Sequence, residues 1–196
     1  MISIRDAIAP DVGAIETVRR ASWQAAYRGL IEPVYLDRAT AGGSDPARLP
    51  AWRRTLVAVR DDAPAVVGYA SFGPERVVQL YTAGPPGSIP RFTEAGRAGQ
   101  VGEVYAIYLD PAYWSTGTGR ALMEAAIAGL TAAGYARAVL WVLEANARAR
   151  RFYALAGWQP DGTDNPLPSL GGVIETRYTR LLALLLARRG QAGAQR

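Results

Sequence analysis

The sequence predicts a single α/β domain built on a mixed sheet, and three observations carry that expectation. In the second half of the chain, apolar runs of strand length alternate with amphipathic runs of helix length, the β-α-β arrangement that sets parallel strands side by side. In the first half, two runs rich in Val and Ala are joined by Asp61, Asp62 and Pro64, the pattern of an antiparallel hairpin. The 196 residues, 49% of them apolar and 20% charged, suffice for one core of ordinary size and match neither a disordered nor a membrane composition.

Residues 2–7 alternate Ile2 and Ile4 with Ser3 and Arg5 and read as a short strand. Val12, Ile15, Val18, Ser22, Trp23, Ala26, Tyr27 and Leu30 then recur at steps of three and four, an amphipathic helix opened by Pro10 and Asp11 and ending near Gly29. A looser helical stretch over 34–38 leads into a Gly, Ser, Asp and Pro-rich loop at 39–50. The hairpin pairs 55–60 with 65–72, and residues 73–100 carry too many Gly and Pro for a regular element despite an apolar patch at 77–81. There follow a strand at 103–109, a turn at 110–116, a helix at 117–133, a strand at 136–143, and a helix at 145–156 closed by Gly157. A polar loop at 161–172 and a final strand at 173–180 complete the core, expected over residues 2–182, with 183–196 a flexible basic tail.

The composition narrows the chemistry. There is no Cys, no His and no Lys, since all 22 basic residues are Arg. This excludes thiolate and imidazole metal sites, Ser-His-Asp and Cys-His nucleophiles, lysine Schiff bases and the P-loop lysine. What remains is carboxylates, phenols, hydroxyls, amides and guanidinium groups. Residues 1–175 hold 17 Arg against 17 acids, so the net charge of +5 resides in Arg177, Arg180, Arg188, Arg189 and Arg196. The basic balance belongs to the C-terminal segment, and neither a nucleic-acid nor a membrane partner is expected. The first thirty residues are interrupted by Arg5, Asp6, Asp11, Glu16, Arg19 and Arg20, which fits a cytoplasmic chain.

The sharpest local feature runs from Tyr113 through Trp114, Ser115, Thr116, Gly117, Thr118 and Gly119 to Arg120, between an apolar strand and a helix. Free backbone N–H groups and the positive end of the helix dipole bind phosphate at such a turn, and glycines let an anion approach the backbone closely. A dinucleotide fingerprint needs a third Gly or Ala where Leu122 stands, so that register fails. After the turn come a helix, a strand, Asn146, and then Phe152, Tyr153, Gly157 and Trp158.

In this order of features the chain resembles the GCN5-related N-acetyltransferase superfamily, over residues 2–182 and most strongly over 103–158. The family pattern of Arg or Gln, two residues, Gly, one residue, then Gly or Ala falls on Trp114, Gly117 and Gly119, with Trp in place of the usual polar residue. The resemblance implies a mostly antiparallel sheet of about seven strands with about four helices, splayed between two central parallel strands. It implies acetyl-CoA as cosubstrate and no metal. The pantetheine arm would lie along Ile107, Tyr108 and Leu109, the pyrophosphate on Ser115, Thr116, Gly117, Thr118, Gly119 and Arg120, with Asn146 and Phe152 beside the cofactor.

Tyr153 matches the family's general acid, a phenol that protonates the departing thiolate. Glu103 matches the carboxylate of histone-type relatives and is the expected base. Relatives that acetylate protein N-termini carry Glu where this chain has Trp141. Trp23, Tyr27, Tyr105 and Trp141 would line the acceptor pocket. The reaction expected is acetyl transfer to a primary amine, of a small molecule, by direct attack on the thioester in a ternary complex. A non-catalytic acyl-CoA-binding module and a transferase acting on protein or peptide amines are the alternatives. A homodimer packed through the aliphatic run at 181–187 is a further expectation.

Overall fold

The computed structural model describes residues 1–41, 53–62, 65–76 and 101–182. The remainder of the expected loop at 39–50, the apolar patch at 77–81 and the basic tail lie outside the described residues, as does all but the start of the aliphatic run proposed for dimer packing.

Among the described residues, seven strands form one sheet in the order β1-β2-β3-β4-β5-β7-β6. They are β1 (Ile2–Asp6), β2 (Arg54–Arg60), β3 (Val66–Pro74), β4 (Val101–Leu109), β5 (Arg137–Leu143), β6 (Gln159–Leu167) and β7 (Val173–Leu181). Four α-helices cover it: α1 (Val12–Tyr27) and α2 (Pro33–Ala41), α3 (Thr118–Ala132) and α4 (Ala147–Leu155).

The period-two alternation of the strands builds three layers. Leu56 and Ala58 of β2 join Phe72, Val104, Leu122, Ala126 and Leu140 in the core beneath α3. Their neighbours Val57 and Val59 face the other way and pack with Val18 of α1 and Tyr69. The core beneath α3 and α4 is closed by Trp158, 1% exposed. Gly129 of α3 allows close approach to the sheet, because a Cβ there would meet the Phe72 ring at 2.6 Å. Alanine in a helix interior gains about 1 kcal/mol over glycine, but overpacking a closed core costs about 1–3 kcal/mol. Because the Phe72 ring is 3% exposed and must shift to admit a methyl group that would stand 2.6 Å from it, Gly129→Ala is expected to destabilise the fold by about 1 kcal/mol net, read as a lower Tm in a thermal melt.

One detail differs from the sequence expectation. Residues 159–167, most of which read as loop, form β6, a strand at the sheet edge whose pairing with β7 is interrupted between Pro160 and Asp164. Pro160, Gly162 and Pro166 hide it in the sequence, and an edge strand tolerates prolines because only one side must donate to a ladder. As the resemblance implies, the sheet holds one parallel pair, β4 with β5, and among the described residues every other pairing of these strands is antiparallel.

That parallel pair positions the site. Its ladder covers only Val101 with Arg137, Gly102 with Ala138, and Glu103 with Val139. Past this point β4 stays with β3 as far as Leu109 and Gly68, while β5 stays with β7 as far as Leu143 and Glu175. The two central strands diverge and open a cleft between them. A bulge in β4, where Ser71 pairs with Ala106 and Phe72 with Val104, leaves Tyr105 as the extra residue and re-aims the strand where the cleft begins.

Candidate active site

The cleft is a cavity of about 620 Å³, within the range of ligand sites. One end is the strand-to-helix turn. Asp110 caps it, its Oδ1 accepting from the Ala112 N–H at 2.9 Å. The indole Nε1 of Trp114 donates to the Leu109 carbonyl at 3.2 Å, so the Trp that stands in the customary Arg or Gln position ties the turn to the end of β4. Ser115 and Gly117 take left-handed φ values of 63° and 91°, conformations that favour glycine. Gly117 leads into α3 without a side-chain cap, which leaves the first-turn N–H groups and the dipole's positive end at the cavity. At Gly119 an added Cβ would meet only ordinary contacts, at 3.4 Å or more; packing within the protein does not require glycine there.

Ser115, Gly117, Gly119 and Arg120 line the cavity, but Thr116 and Thr118 do not. The Thr116 hydroxyl donates to the Tyr113 carbonyl at 2.8 Å and lies 2.9 Å from the Thr118 hydroxyl. These two groups brace the turn from behind. Arg120 is held by Glu124 at 2.8 Å and is largely exposed. A second cation comes from α4, where the Arg148 guanidinium carbon sits 3.7 Å from the centre of the Trp114 ring, a stacked arrangement that suits guanidinium. Arg148 and Arg151 line the cavity, whereas Arg150 turns away to Tyr178 and the Glu144 carbonyl.

Asn146 begins α4 and its Oδ1 accepts from the Ala149 N–H at 3.0 Å. This cap sets the helix so that Phe152 and Tyr153 reach the cleft. Tyr153 is 9% exposed and its ring packs against Phe152 and Tyr178. Burial, reinforced by the neighbouring Tyr108, raises its pKa, so the phenol carries its proton throughout the neutral range. Along β4, Ile107, Tyr108 and Leu109 form the opposite wall.

The far end is aromatic. Trp23 and Tyr27 of α1 meet edge to face at 5.1 Å, and Tyr105, Tyr108 and Trp141 complete the lining. All four residues expected to contact the acceptor therefore share this cavity with the turn and Tyr153.

The placement of Glu103 departs from expectation. It is 0% exposed and does not line the cavity. The backbone N–H of Arg76 donates to its Oε2 at 2.8 Å, and the Arg76 guanidinium donates to its Oε1 through Nε at 3.0 Å and through Nη2. Arg76 also lies over the Tyr105 ring at 4.6 Å and faces the cleft in its stead. The pair forms because β3 and β4 are adjacent, with Gly73 opposite Glu103 and Arg76 just beyond the end of β3. A strand-end carboxylate that reads as accessible is thus enclosed by a residue from the long Gly- and Pro-rich segment. Among the described residues, the carboxylate that does reach the cavity is Glu175 of β7, which the sequence shows only as a polar position in an alternating strand.

The diverging parallel pair opens a cleft between an uncapped helix N-terminus and a buried phenol, and comparison with known proteins names the family. The model for the acetyltransferase (GNAT) family matches residues 16–158. The chain belongs to that family and is an acyltransferase. It is 28% identical over 146 residues, 74% of each chain, to the uncharacterized N-acetyltransferase YuaI of Bacillus subtilis strain 168. Its fold resembles that of the PaiA N-acetyltransferase of Thermoplasma acidophilum in complex with coenzyme A, at TM-score 0.66 and 18% identity over 90% of this chain and 98% of that one. It also resembles YncA of Salmonella typhimurium, a putative acetyltransferase solved with acetyl-CoA, at TM-score 0.60 and 21% identity over 93% and 94%. No helix among the described residues is long and apolar enough to cross a membrane.

Proposed function

We propose that the protein transfers an acetyl group from acetyl-CoA to a primary amine of a small molecule, by direct attack in a ternary complex. The observation that carries this reading is the end of the β4–β5 ladder at Glu103 and Val139. It opens one cavity that holds the glycine turn, Tyr153 and an aromatic recess together.

The residues present fit acetyl-CoA. The open N-terminus of α3 with Ser115, Gly117 and Gly119 suits a pyrophosphate, and Arg148 and Arg151 supply positive charge beside it. The diverging edge of β4 at Ile107 to Leu109 suits an amide-bearing arm, which pairs with backbone as an added strand does. When bound, acetyl-CoA supplies an activated acyl carbon as a thioester. Tyr153 then serves as the acid: its hydroxyl hydrogen passes to the departing sulfur. Holding both reactants in one preformed cleft supplies much of the rate, since orientation alone is worth several kcal/mol.

The faces of Trp23, Tyr27 and Trp141, which line one part of the cleft, suit the compact apolar body of a small amine. The test is release of CoA thiol from acetyl-CoA across a panel of amines that includes arylalkyl amines, polyamines, aminoglycosides, amino acids and peptides. Thiol release with small amines is the expected result. Thermal stabilisation by CoA without turnover on any amine would instead indicate a binding module and overturn the proposal.

A further inference from the structure

We propose that Glu175 is the carboxylate that takes up the acceptor's ammonium proton, and that the acceptor is a primary amine carried on an apolar or aromatic body. This rests on the transferase reading above. Glu175 lies at the end of the β5–β7 ladder, opposite Leu143, where the cleft opens. Direct cross-strand partners share a face, and Leu143 packs with Ile31 and Leu36 on the α1 and α2 side of the sheet. Glu175 therefore stands on the face that carries the aromatic recess, and it lines the cavity.

The carboxylate is held in place. Asn165 of β6, 3% exposed, donates its side-chain N–H to Glu175 Oε1 at 2.9 Å. Asn165 and Glu175 are themselves direct partners in the β6–β7 ladder, so the amide is a positioning group fixed by the sheet edge. Glu103 is also held, but by a cation that engages both of its oxygens, and it does not line the cleft. Its role is to hold Arg76 against the cavity wall.

The chemistry of the recess selects the acceptor. A carboxylate among indole and phenol rings attracts an ammonium group, and the faces of Trp23, Tyr27 and Trp141 accept an apolar or aromatic body. The ammonium nitrogen gives one proton to Glu175. The free amine forms its N–C bond to the acyl carbon as the C–S bond breaks, Tyr153 gives its proton to sulfur, and the second nitrogen proton restores the phenol. One proton in excess is left on Glu175 and passes to solvent, so the atoms and charges balance.

The electrostatics agree with this geometry. Among the described residues, the charged and titratable groups acting on Glu175 are Arg76, Glu103 of β4 and Tyr108 of β4, with neutral Asn165 on β6; Arg177, two residues along β7 on the same face, lies over Trp141 and pairs with Glu75 and Asp161. Burial raises its pKa above the ordinary carboxylate value and Glu103 adds to the rise, while Asn165 and Arg76 oppose it. A base with a raised pKa loses competence as pH falls through that raised value, so the acid limb of kcat/KM should lie above the ordinary carboxylate range.

The experiment uses the full chain, acetyl-CoA and phenethylamine. Glu175→Gln is expected to lower kcat/KM about 100-fold and to abolish the acid limb, with CoA affinity unchanged. Its Tm at pH 8 should be no lower than the parent's, because a carboxylate whose folded pKa is raised destabilises the fold once ionised. Glu175→Asp should recover part of the rate, and Asn165→Ala should shift the limb. Glu103→Gln, by contrast, should lower Tm yet keep the limb, moved toward the ordinary value. A Glu175→Gln protein with parental rate and pH profile overturns the inference and leaves the transferase reading intact. If the parent releases thiol with no amine, the transferase reading fails. Phenethylammonium binding, followed by tryptophan fluorescence, then decides the recognition role: affinity unaffected by Glu175→Gln, or no binding at all, overturns it.

Discussion

Tyr153→Phe is expected to lower kcat by about 10²- to 10⁴-fold, the usual worth of a positioned general acid, while the Kd for acetyl-CoA stays at the parental value. The ring should remain where it is, because its contacts with Phe152 and Tyr178, at centroid distances of 5.3 and 6.4 Å, do not involve the hydroxyl. The loss should therefore appear in the chemical step and in neither folding nor binding. Its pH dependence follows from the raised phenol pKa. The proton is present through the neutral range, so the parent's rate should show no basic limb from Tyr153 below its ordinary value near 10. Residual activity in the variant is expected, because orientation within the cleft survives the substitution. Single-turnover thiol release from preformed acetyl-CoA complexes measures the step. Unchanged turnover at every pH would remove Tyr153 from the proton path.

How much of this site can be read from the chain depends on how local each part is. The turn around Gly117, the cap at Asn146 and the placement of Tyr153 are encoded by residues within one strand-to-helix segment each, so spacing suffices to find them. The splay is not local. It depends on β5 finding β7 as its second partner, a strand more than 30 residues away in sequence, and only resemblance to a known fold announces it. Glu103 illustrates the limit most clearly. Its position on β4 is legible, but the burial that decides its role comes from Arg76, 27 residues upstream in a segment whose composition gives no sign of a contact. Glu175 and Asn165 are concealed for the opposite reason: their pairing requires β6, and Pro160, Gly162 and Pro166 make an edge strand look like a loop. Thr116 and Thr118 show that a hydroxyl in the right motif can serve the turn itself, since each is satisfied within it.

The customary Arg or Gln of the family pattern is Trp114 here, and the structure points to how its charge is restored. Arg148 lies at 3.7 Å over the Trp114 ring while that ring's Nε1 is tied to the Leu109 carbonyl, so the indole acts as a platform that holds a guanidinium at the end of the cavity beside the glycine turn. A hydrogen bond between charged groups is worth about 1.5–3 kcal/mol. Arg148→Ala is thus expected to raise the Kd for CoA by about 10- to 100-fold, and the affinity of the parent should fall more steeply with salt than that of the variant. Arg148→Lys should fall between the two, because an ammonium keeps the charge but loses the planar stack and the fork of donors. Titration with dephospho-CoA identifies the contact. If Arg148 meets the 3′-phosphate, the variant and the parent should bind dephospho-CoA alike; if it meets the pyrophosphate, the difference should persist. Were Arg148 present only to cover the indole, Arg148→Ala would lower Tm and leave both affinities unchanged, and the platform reading would fall.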